Sequence, residues 1–118
     1  MSLAVLDALD GPLYYLNGAT RSETIIDLAL LPLPTGKAAL VFSEKTQASA
    51  HLVALPDGVT VQCASDLRAK EELLRAGLTR GANTLWLDTP VGAPPKASYP
   101  VKRALEYILS FKRQSACL

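Results

Sequence analysis

Two apolar segments of similar character flank a short turn near the middle of the chain. The first runs from Thr24 to Leu33, the second from Ala38 to Phe42, and Pro34-Thr35-Gly36-Lys37 separates them. Two such segments joined by a turn that contains glycine are typical of a β-hairpin. A capping box of Thr20 with Glu23 would favour a helix for the first segment. The hairpin accounts for both segments together, so we predict two paired strands with the turn at their junction.

Short strands and capped helices alternate along the rest of the chain. Start residues such as Ser2, Ser65 and Pro100 predict helices, while aromatic or β-branched runs that end in turns predict strands. The predicted helices span Ser2 to Leu9, Ser43 to about His51, Ser65 to Leu78 and Pro100 to Arg113, and further strands span 13–16, 59–63 and 83–87. The order α-β-β-β-α-β-α-β-α predicts an α/β (α+β) fold: a mixed β-sheet of about five strands flanked by helices, in a single domain over residues 1–118.

The charge balance disfavours a nucleic-acid partner. Twelve basic residues stand against eleven acidic ones, which leaves a formal net charge of +1. The basic residues are spread along the chain rather than gathered in a run. Nucleic-acid binding takes much of its affinity from phosphate neutralisation, so we expect no nucleic-acid partner and no membrane-surface attraction.

Hydropathy and cysteine content predict a cytoplasmic protein without a membrane span. The longest apolar run, Leu28 to Leu33, contains Pro32 and falls far short of the ~20 residues that a membrane span needs. No basic segment precedes the first apolar residues, so the N-terminus does not have the pattern of a signal peptide. Cys63 and Cys117 fit reduced cytosolic thiols in a domain that has an ample apolar core.

Metal-binding and cofactor-binding patterns are missing from the sequence. Cys63, Cys117 and the single histidine, His51, do not have the local spacing of a zinc site. No glycine-rich dinucleotide or phosphate fingerprint occurs. We therefore expect neither a metal nor a cofactor.

Cys63 is the sharpest candidate for chemistry. It ends a predicted strand just before the helix that Ser65 is predicted to cap, and a thiol at a helix N-terminus becomes acidic and nucleophilic. A phosphate-cleaving cysteine loop would need an arginine one residue further than Arg68, and Asp66 occupies the place of the anion. The alternative is a small buried apolar cysteine, and we favour it because free cysteine is among the most buried residue types.

His51 and Asp88 are weaker catalytic candidates. His51 could act as a general base, although a base needs a nucleophile and an orienting group within reach; a helix cap or a surface position is the favoured alternative. Asp88 follows a strand at the edge where α/β sites often form, but Asp88-Thr89-Pro90 equally favours a turn. Lys70 lies within the apolar arc of its helix, and we expect its side chain to extend to water.

The last predicted helix has an unusually wide apolar face. Its apolar residues cover about 200° of a helical wheel, about twice the stripe that a helix on one core requires. The excess, centred on Tyr107 and Phe111 with Ile108, is either covered by the Pro94-Pro95 loop or exposed. Exposed aromatic patches mark interfaces, so we predict a second contact there, in a homodimer.

The central part of the chain resembles the SseB N-terminal-domain family. The likeness lies in Ala39-Leu40-Val41-Phe42-Ser43-Glu44, which leads from a strand into a helix, and in Leu73 to Gly77 with Leu85-Trp86-Leu87-Asp88. It covers residues 2–90. The family implies the fold but no catalytic residues.

Two functions follow from these patterns. The first is a small non-catalytic protein-interaction or self-associating module, because the chain is poor in catalytic patterns and rich in apolar surface. The second is a small ligand-binding or cysteine-dependent protein with its site at the Cys63 strand-to-helix junction. Thiol reactivity at several pH values distinguishes the two.

Overall fold

The computed structural model describes residues 3–18, 30–55 and 58–116. The helices are α1 (Leu3–Asp10), α2 (Lys45–Ser49), which continues as a 3₁₀ turn (Ala50–Ala54), α3 (Leu67–Thr79) and α4 (Val101–Ala116). The strands are β1 (Leu13–Asn17), β2 (Leu30–Leu33), β3 (Gly36–Phe42), β4 (Thr60–Ala64), β5 (Ala82–Leu87) and β6 (Ala97–Pro100). The predicted α/β fold with a mixed sheet and flanking helices is confirmed.

The six strands form one sheet with the order β4-β1-β3-β5-β6, and β2 pairs with the first half of β3. The strands β3 and β5 are parallel, with Val41 opposite Leu87, and every other pairing is antiparallel. A parallel pair needs a long crossover connection, which α2, β4 and α3 provide. Because β3 and β5 are parallel, their carboxyl ends lie at the same end of the sheet.

The predicted hairpin is confirmed where the structure describes it. Leu30 to Leu33 pair antiparallel with Ala39 to Gly36, and residues 24–29 of the predicted first arm lie outside the described residues. Gly36 has φ +152, and a Cβ there would lie 2.6 Å from Nδ2 of Asn83. The backbone conformation of this turn therefore favours glycine, and any other residue would be strained there.

One face of the sheet carries the three longer helices and the larger core. Alternate strand residues such as Leu13, Val41 and Leu85 point to this face. They pack against apolar side chains of α1, α3 and α4, which include Leu9, Leu73, Leu74, Val101, Ala104, Leu105 and Ile108.

This packing explains the wide apolar face of α4 and corrects one expectation. The helix α4 contacts α3 and α1 as well as β5 and β6, so a broad arc is buried within this chain. Ile108 has no exposed surface and cannot contribute to an interface between chains. Burial within this chain accounts for the apolar side chain of Ile108. Neither a covering Pro94-Pro95 loop nor an exposed patch is needed to explain it.

The opposite face carries a smaller apolar cluster under α2 and the 3₁₀ turn. Leu16, Leu40 and Phe42 point to this face from the sheet, and Ala48 packs on them from α2. Trp86 and Leu55 pack at the margin of the cluster. Because the covering helices are short, this face is left only partly covered.

Asp66, rather than the predicted Ser65, is the N-cap of α3. Its carboxylate accepts a hydrogen bond of 2.7 Å from the backbone N–H of Ala69. Asp66 holds the extended backbone of an N-cap, and a carboxylate there also favours the helix dipole. The start of the helix therefore lies one residue later than predicted.

Lys70 is buried, so the prediction that its side chain extends to water is wrong. Only 4% of the residue is exposed, and its ammonium donates a 2.8 Å hydrogen bond to the carbonyl of Leu9. That carbonyl belongs to the last turn of α1, whose final carbonyls lack partners within the helix. The ammonium thus finds an acceptor inside the domain, at the helix end that attracts a cation.

The stability of the domain is expected to depend on Tyr15 above pH 10. Burial raises the pKa of Tyr15 above its usual 10.0, and the nearby charges of Cys63 and Glu72 raise the pKa further. The folded state therefore holds the phenol proton more tightly than the unfolded chain. This contribution is complete below pH 10.0 and is lost as pH rises through the raised pKa of the folded state.

We expect Tyr15→Phe to make the fall in stability at alkaline pH shallower than in the wild type. Urea unfolding between neutral pH and strongly alkaline pH measures it, with the variant and the wild type compared at each pH. Identical slopes for the two proteins would contradict this expectation.

Candidate functional site

The candidate site lies at the carboxyl ends of the parallel strands β3 and β5. After Phe42 the chain enters Ser43 and α2, and after Leu87 it enters Asp88 and a loop that leads to β6. Parallel strands place their carboxyl ends at one edge of the sheet, where α/β domains commonly hold ligands. The pairing of β3 with β5 thus brings together residues that are 45 positions apart.

Asp88 joins the two strand ends. Its carboxylate accepts hydrogen bonds from the backbone N–H of Ser43 (2.7 Å) and from the Ser43 hydroxyl (2.8 Å). Only 7% of Asp88 is exposed, and its backbone has φ +51, a left-handed conformation that aspartate tolerates better than most residues. The Asp88 backbone N–H also donates to the carbonyl of Val41 at 3.0 Å. These contacts fix the start of the loop that follows.

His51 ties the 3₁₀ turn to the same loop. Its Nε2 lies 2.6 Å from the backbone carbonyl of Thr89, so this nitrogen donates and the imidazole is oriented by the backbone. The ring also lies against Phe42, with centroids 5.2 Å apart at 53°. His51 and Asp88 are therefore neighbours in the fold, and each has a partner that accounts for its position.

An apolar cavity of about 540 Å³ opens between the sheet and this loop. It lies on the sheet face that Leu16, Leu40 and Trp86 occupy. Its lining residues are mostly hydrophobic: Leu16, Leu30, Leu31, Leu40, His51, Leu55, Trp86, Thr89, Pro90, Val91, Gly92, Ala93 and Pro94. Several of them are exposed, so the cavity is accessible from solvent.

Thr89 is the unusual polar residue of this lining. Only 6% of the residue is exposed, and within the described part of the chain its Oγ1 has no hydrogen-bond partner although it is buried. A buried hydroxyl without a partner is costly and uncommon in folded proteins. A residue that lines the apolar cavity thus carries one hydrogen-bonding group that has no partner among the described residues.

Exposed hydrophobic side chains occur in the cavity lining and close to lining residues in the sequence. Among the described residues, the large hydrophobic side chains that are exposed are Leu31, Val53 and Val91. Leu31 and Val91 line the cavity, and Val53 lies two residues from both His51 and Leu55, which also line it. We call these three residues the apolar rim.

Cys63 is exposed, which corrects the expectation that it is a buried apolar cysteine. It lies on the edge strand β4 opposite Tyr14, and it is not one of the described residues that line the cavity. The carboxylate of the cap residue Asp66 already lies at the start of α3, where it accepts a hydrogen bond from the backbone N–H of Ala69. Neither His51 nor Asp88 makes a described contact with Cys63, so the structure does not bring the three catalytic candidates together.

Replacement of Cys63 with alanine or serine is expected to change the free energy of unfolding by less than about 0.5 kcal/mol, because the side chain is exposed. We predict that the variant keeps any binding activity. Urea unfolding measures the stability, and a thiol-reactive dye should label Cys63 in the native wild type. A loss of more than about 1 kcal/mol would contradict the exposed position.

The remaining interface candidates divide between the two faces of the sheet. Tyr107 is half-buried; its hydroxyl donates a 2.9 Å hydrogen bond to Asp10, and this bond is the main reason that the pKa of Tyr107 is raised. Phe111 packs edge-on against the Tyr107 ring, with centroids 4.8 Å apart. Pro94 lines the cavity on the other face, and Pro95, beside it in the loop, is half-buried.

No sequence pattern points to Thr89, Trp86 or the cavity. Trp86 lies in a predicted strand and Thr89 in a predicted turn, and neither position predicts a functional role. A single strand-end threonine has no distinctive local pattern. The one signal that could indicate Thr89 is its position just after the carboxyl end of a strand, the same feature that makes Asp88 a candidate.

Comparisons with known proteins do not assign the chain to a family. No protein-family model matches the chain, and no curated protein matches it. The resemblance to the SseB N-terminal-domain family therefore stays a prediction. In the described ranges, no helix is both long and apolar enough to cross a membrane, and no three or more His, Cys, Asp or Glu residues cluster as metal ligands would.

Proposed function

We propose that this chain is a non-catalytic binding domain that takes a small apolar molecule into the cavity at the ends of β3 and β5. The observation that carries this proposal is the cavity itself. Its volume of about 540 Å³ lies within the range of about 300–1,000 Å³ that is typical of small-molecule sites. A lining of leucine, valine, proline and tryptophan suits an apolar ligand, because transfer of apolar surface from water drives its binding.

The polar groups near the cavity support binding rather than catalysis. The Nε2 of His51 is held by the Thr89 carbonyl, and both carboxylate oxygens of Asp88 accept hydrogen bonds from Ser43. A general base needs a nucleophile within hydrogen-bond reach, whereas Cys63 lies on the edge strand β4. The sequence predicts a ligand site at the Cys63 junction, whereas we propose the ligand site in the cavity at the ends of β3 and β5.

A protein-interaction module is the second candidate, and the apolar rim favours it. Exposed hydrophobic residues that lie close together mark interaction sites, and Val53 is 94% exposed. A partner protein, or a second copy of the chain, would cover Leu31, Val53 and Val91 together. The homodimer predicted through Tyr107 and Phe111 is a separate version of this proposal, on the opposite face of the sheet.

A cytoplasmic location is part of the proposal. The exposed free thiol of Cys63 is suited to a reducing compartment. The near-neutral charge of +1 supports a partner other than nucleic acid.

Titration of the protein with ethylbenzene, followed by tryptophan emission, tests the main proposal. Trp86 is the only tryptophan in the sequence and it lines the cavity, so its emission reports on occupancy directly. We expect a saturable change in the wild type. Val91→Asp should weaken binding, because it replaces an apolar lining side chain with a charged one.

Val53→Asp is the matched control, since Val53 belongs to the rim but is not one of the lining residues. Unchanged ethylbenzene binding in this variant supports a ligand cavity. No saturable change in the wild type would contradict the main proposal. If the wild type instead self-associates in light scattering and Val53→Asp abolishes that association, the interaction module is favoured.

A further inference from the structure

The hydroxyl of Thr89 is the one buried side-chain polar atom without a partner among the described residues. The backbone of the same residue is well anchored, because its carbonyl receives His51 Nε2 at 2.6 Å. Asp88, directly before it, is fixed by two hydrogen bonds to Ser43. The unpaired hydroxyl thus belongs to a residue that lines the cavity and whose backbone is held in place.

A rotation of the Thr89 side chain moves this hydroxyl without any backbone movement. A rotation of about 120° about its Cα–Cβ bond moves Oγ1 to the position of the methyl group or of the Cβ hydrogen, and the methyl group moves in the same direction. Such rotations join staggered side-chain conformations. A ligand with a hydrogen-bonding atom near Thr89 would therefore satisfy a group that has no partner in the free protein, and that gain is unavailable to a pure hydrocarbon.

The lining also limits the charge of the ligand. The described lining residues include neither lysine nor arginine, aspartate nor glutamate, and the imidazole Nε2 of His51 is already engaged with the Thr89 carbonyl. A charged group would lose its hydration without gaining an opposite charge, which is costly. An uncharged oxygen needs only one hydrogen bond.

We propose that the cavity is selective for uncharged apolar molecules that carry one hydrogen-bonding oxygen, such as an alcohol or a ketone, and that Thr89 Oγ1 is the residue that recognises this oxygen. The proposal rests on the proposed ligand-binding function. It makes Thr89 a specificity-determining residue, which neither its sequence context nor the fold alone would indicate.

Benzyl alcohol and ethylbenzene form a matched pair of probes, because they differ by a hydroxyl in place of a methyl group. We expect Thr89→Val to weaken benzyl alcohol binding by about five- to tenfold, the value of one net hydrogen bond, while ethylbenzene binding stays the same. Thr84→Val, on β5 but outside the lining residues, should leave both affinities unchanged. Trp86 emission serves as the readout for all three proteins.

Thr89→Val should also leave the melting temperature of the free protein unchanged or raise it, because it removes an unpaired buried hydroxyl. If both probes bind the wild type and Thr89→Val alters neither affinity, or alters both equally, this inference is overturned while the proposed function stands. If neither probe binds the wild type, the proposed function itself fails. Selective loss of benzyl alcohol binding supports both.

Discussion

Asp88→Ala is expected to lower the free energy of unfolding by about 3 kcal/mol. The variant loses two hydrogen bonds to a carboxylate, each worth about 1.5–3 kcal/mol, which join the ends of β3 and β5 at 2.7 and 2.8 Å. It also places alanine at φ +51, where residues other than glycine, asparagine and aspartate pay about 1–2 kcal/mol. Solvation of the freed Ser43 groups recovers part of this loss. Urea unfolding followed by far-UV circular dichroism measures the change.

Two matched variants separate these contributions. Asp88→Asn keeps an acceptor for the Ser43 backbone N–H and tolerates the left-handed backbone, so we expect a loss of about 1 kcal/mol or less. Ser43→Ala removes only the 2.8 Å hydroxyl contact and should cost about 1 kcal/mol. Equal stabilities of Asp88→Ala and Asp88→Asn would contradict the structural role given to this carboxylate.

Lys70→Glu is expected to destabilise the domain by about 3 kcal/mol or more. The substitution puts an anion where a buried ammonium now donates to the Leu9 carbonyl at 2.8 Å, in a site that is 4% exposed. An uncompensated buried charge typically costs about 3–5 kcal/mol. Since small domains are stable by only about 5–15 kcal/mol, this loss is a large fraction of the free energy of unfolding.

Lys102→Glu is the control for this prediction. Lys102 is exposed in the first turn of α4, where a negative charge is compatible with the helix dipole. The same change of charge should therefore alter the free energy of unfolding by less than about 0.5 kcal/mol. A loss in Lys70→Glu no greater than that in Lys102→Glu would show that Lys70 reaches water in solution.

Local patterns were sufficient to predict most of the secondary structure. The Gly11-Pro12 stop after α1, the glycine turn between β2 and β3, and the aromatic run of β1 each have a local cause. The strand β6 was missed, because Ala97-Ser98-Tyr99-Pro100 is short and ends in proline. Its pairing with β5 makes it an edge strand, a position in which proline is tolerated.

Burial was harder to predict than secondary structure because it depends on tertiary position. Cys63 is exposed on β4, an edge strand of the sheet, and nothing near Cys63 in the sequence indicates which strand lies outermost. Lys70 is buried because the end of α1 supplies an acceptor 61 residues away. Residue preferences alone gave the opposite answer in both cases.

The candidate site could be predicted only in fragments. Asp88 was placed at a strand end, and His51 at a helix end, from local signals. Their meeting depends on the parallel pairing of β3 with β5, for which neither strand carries a sequence marker. The cavity depends further on the loop over 89–94, whose course is fixed by contacts of Asp88 and Thr89 with distant residues.

The most direct test of the binding proposal is an NMR titration of the isotopically labelled protein with ethylbenzene. We predict saturable shifts of backbone amide signals at the cavity, in particular those of Leu16, Leu40, Thr89 and residues 91–93. Signals of Ala104, Leu105 and Ile108, which lie in the core on the other face, should stay in place. Shifts that are absent, or that centre on α4 instead of the cavity, would contradict the account.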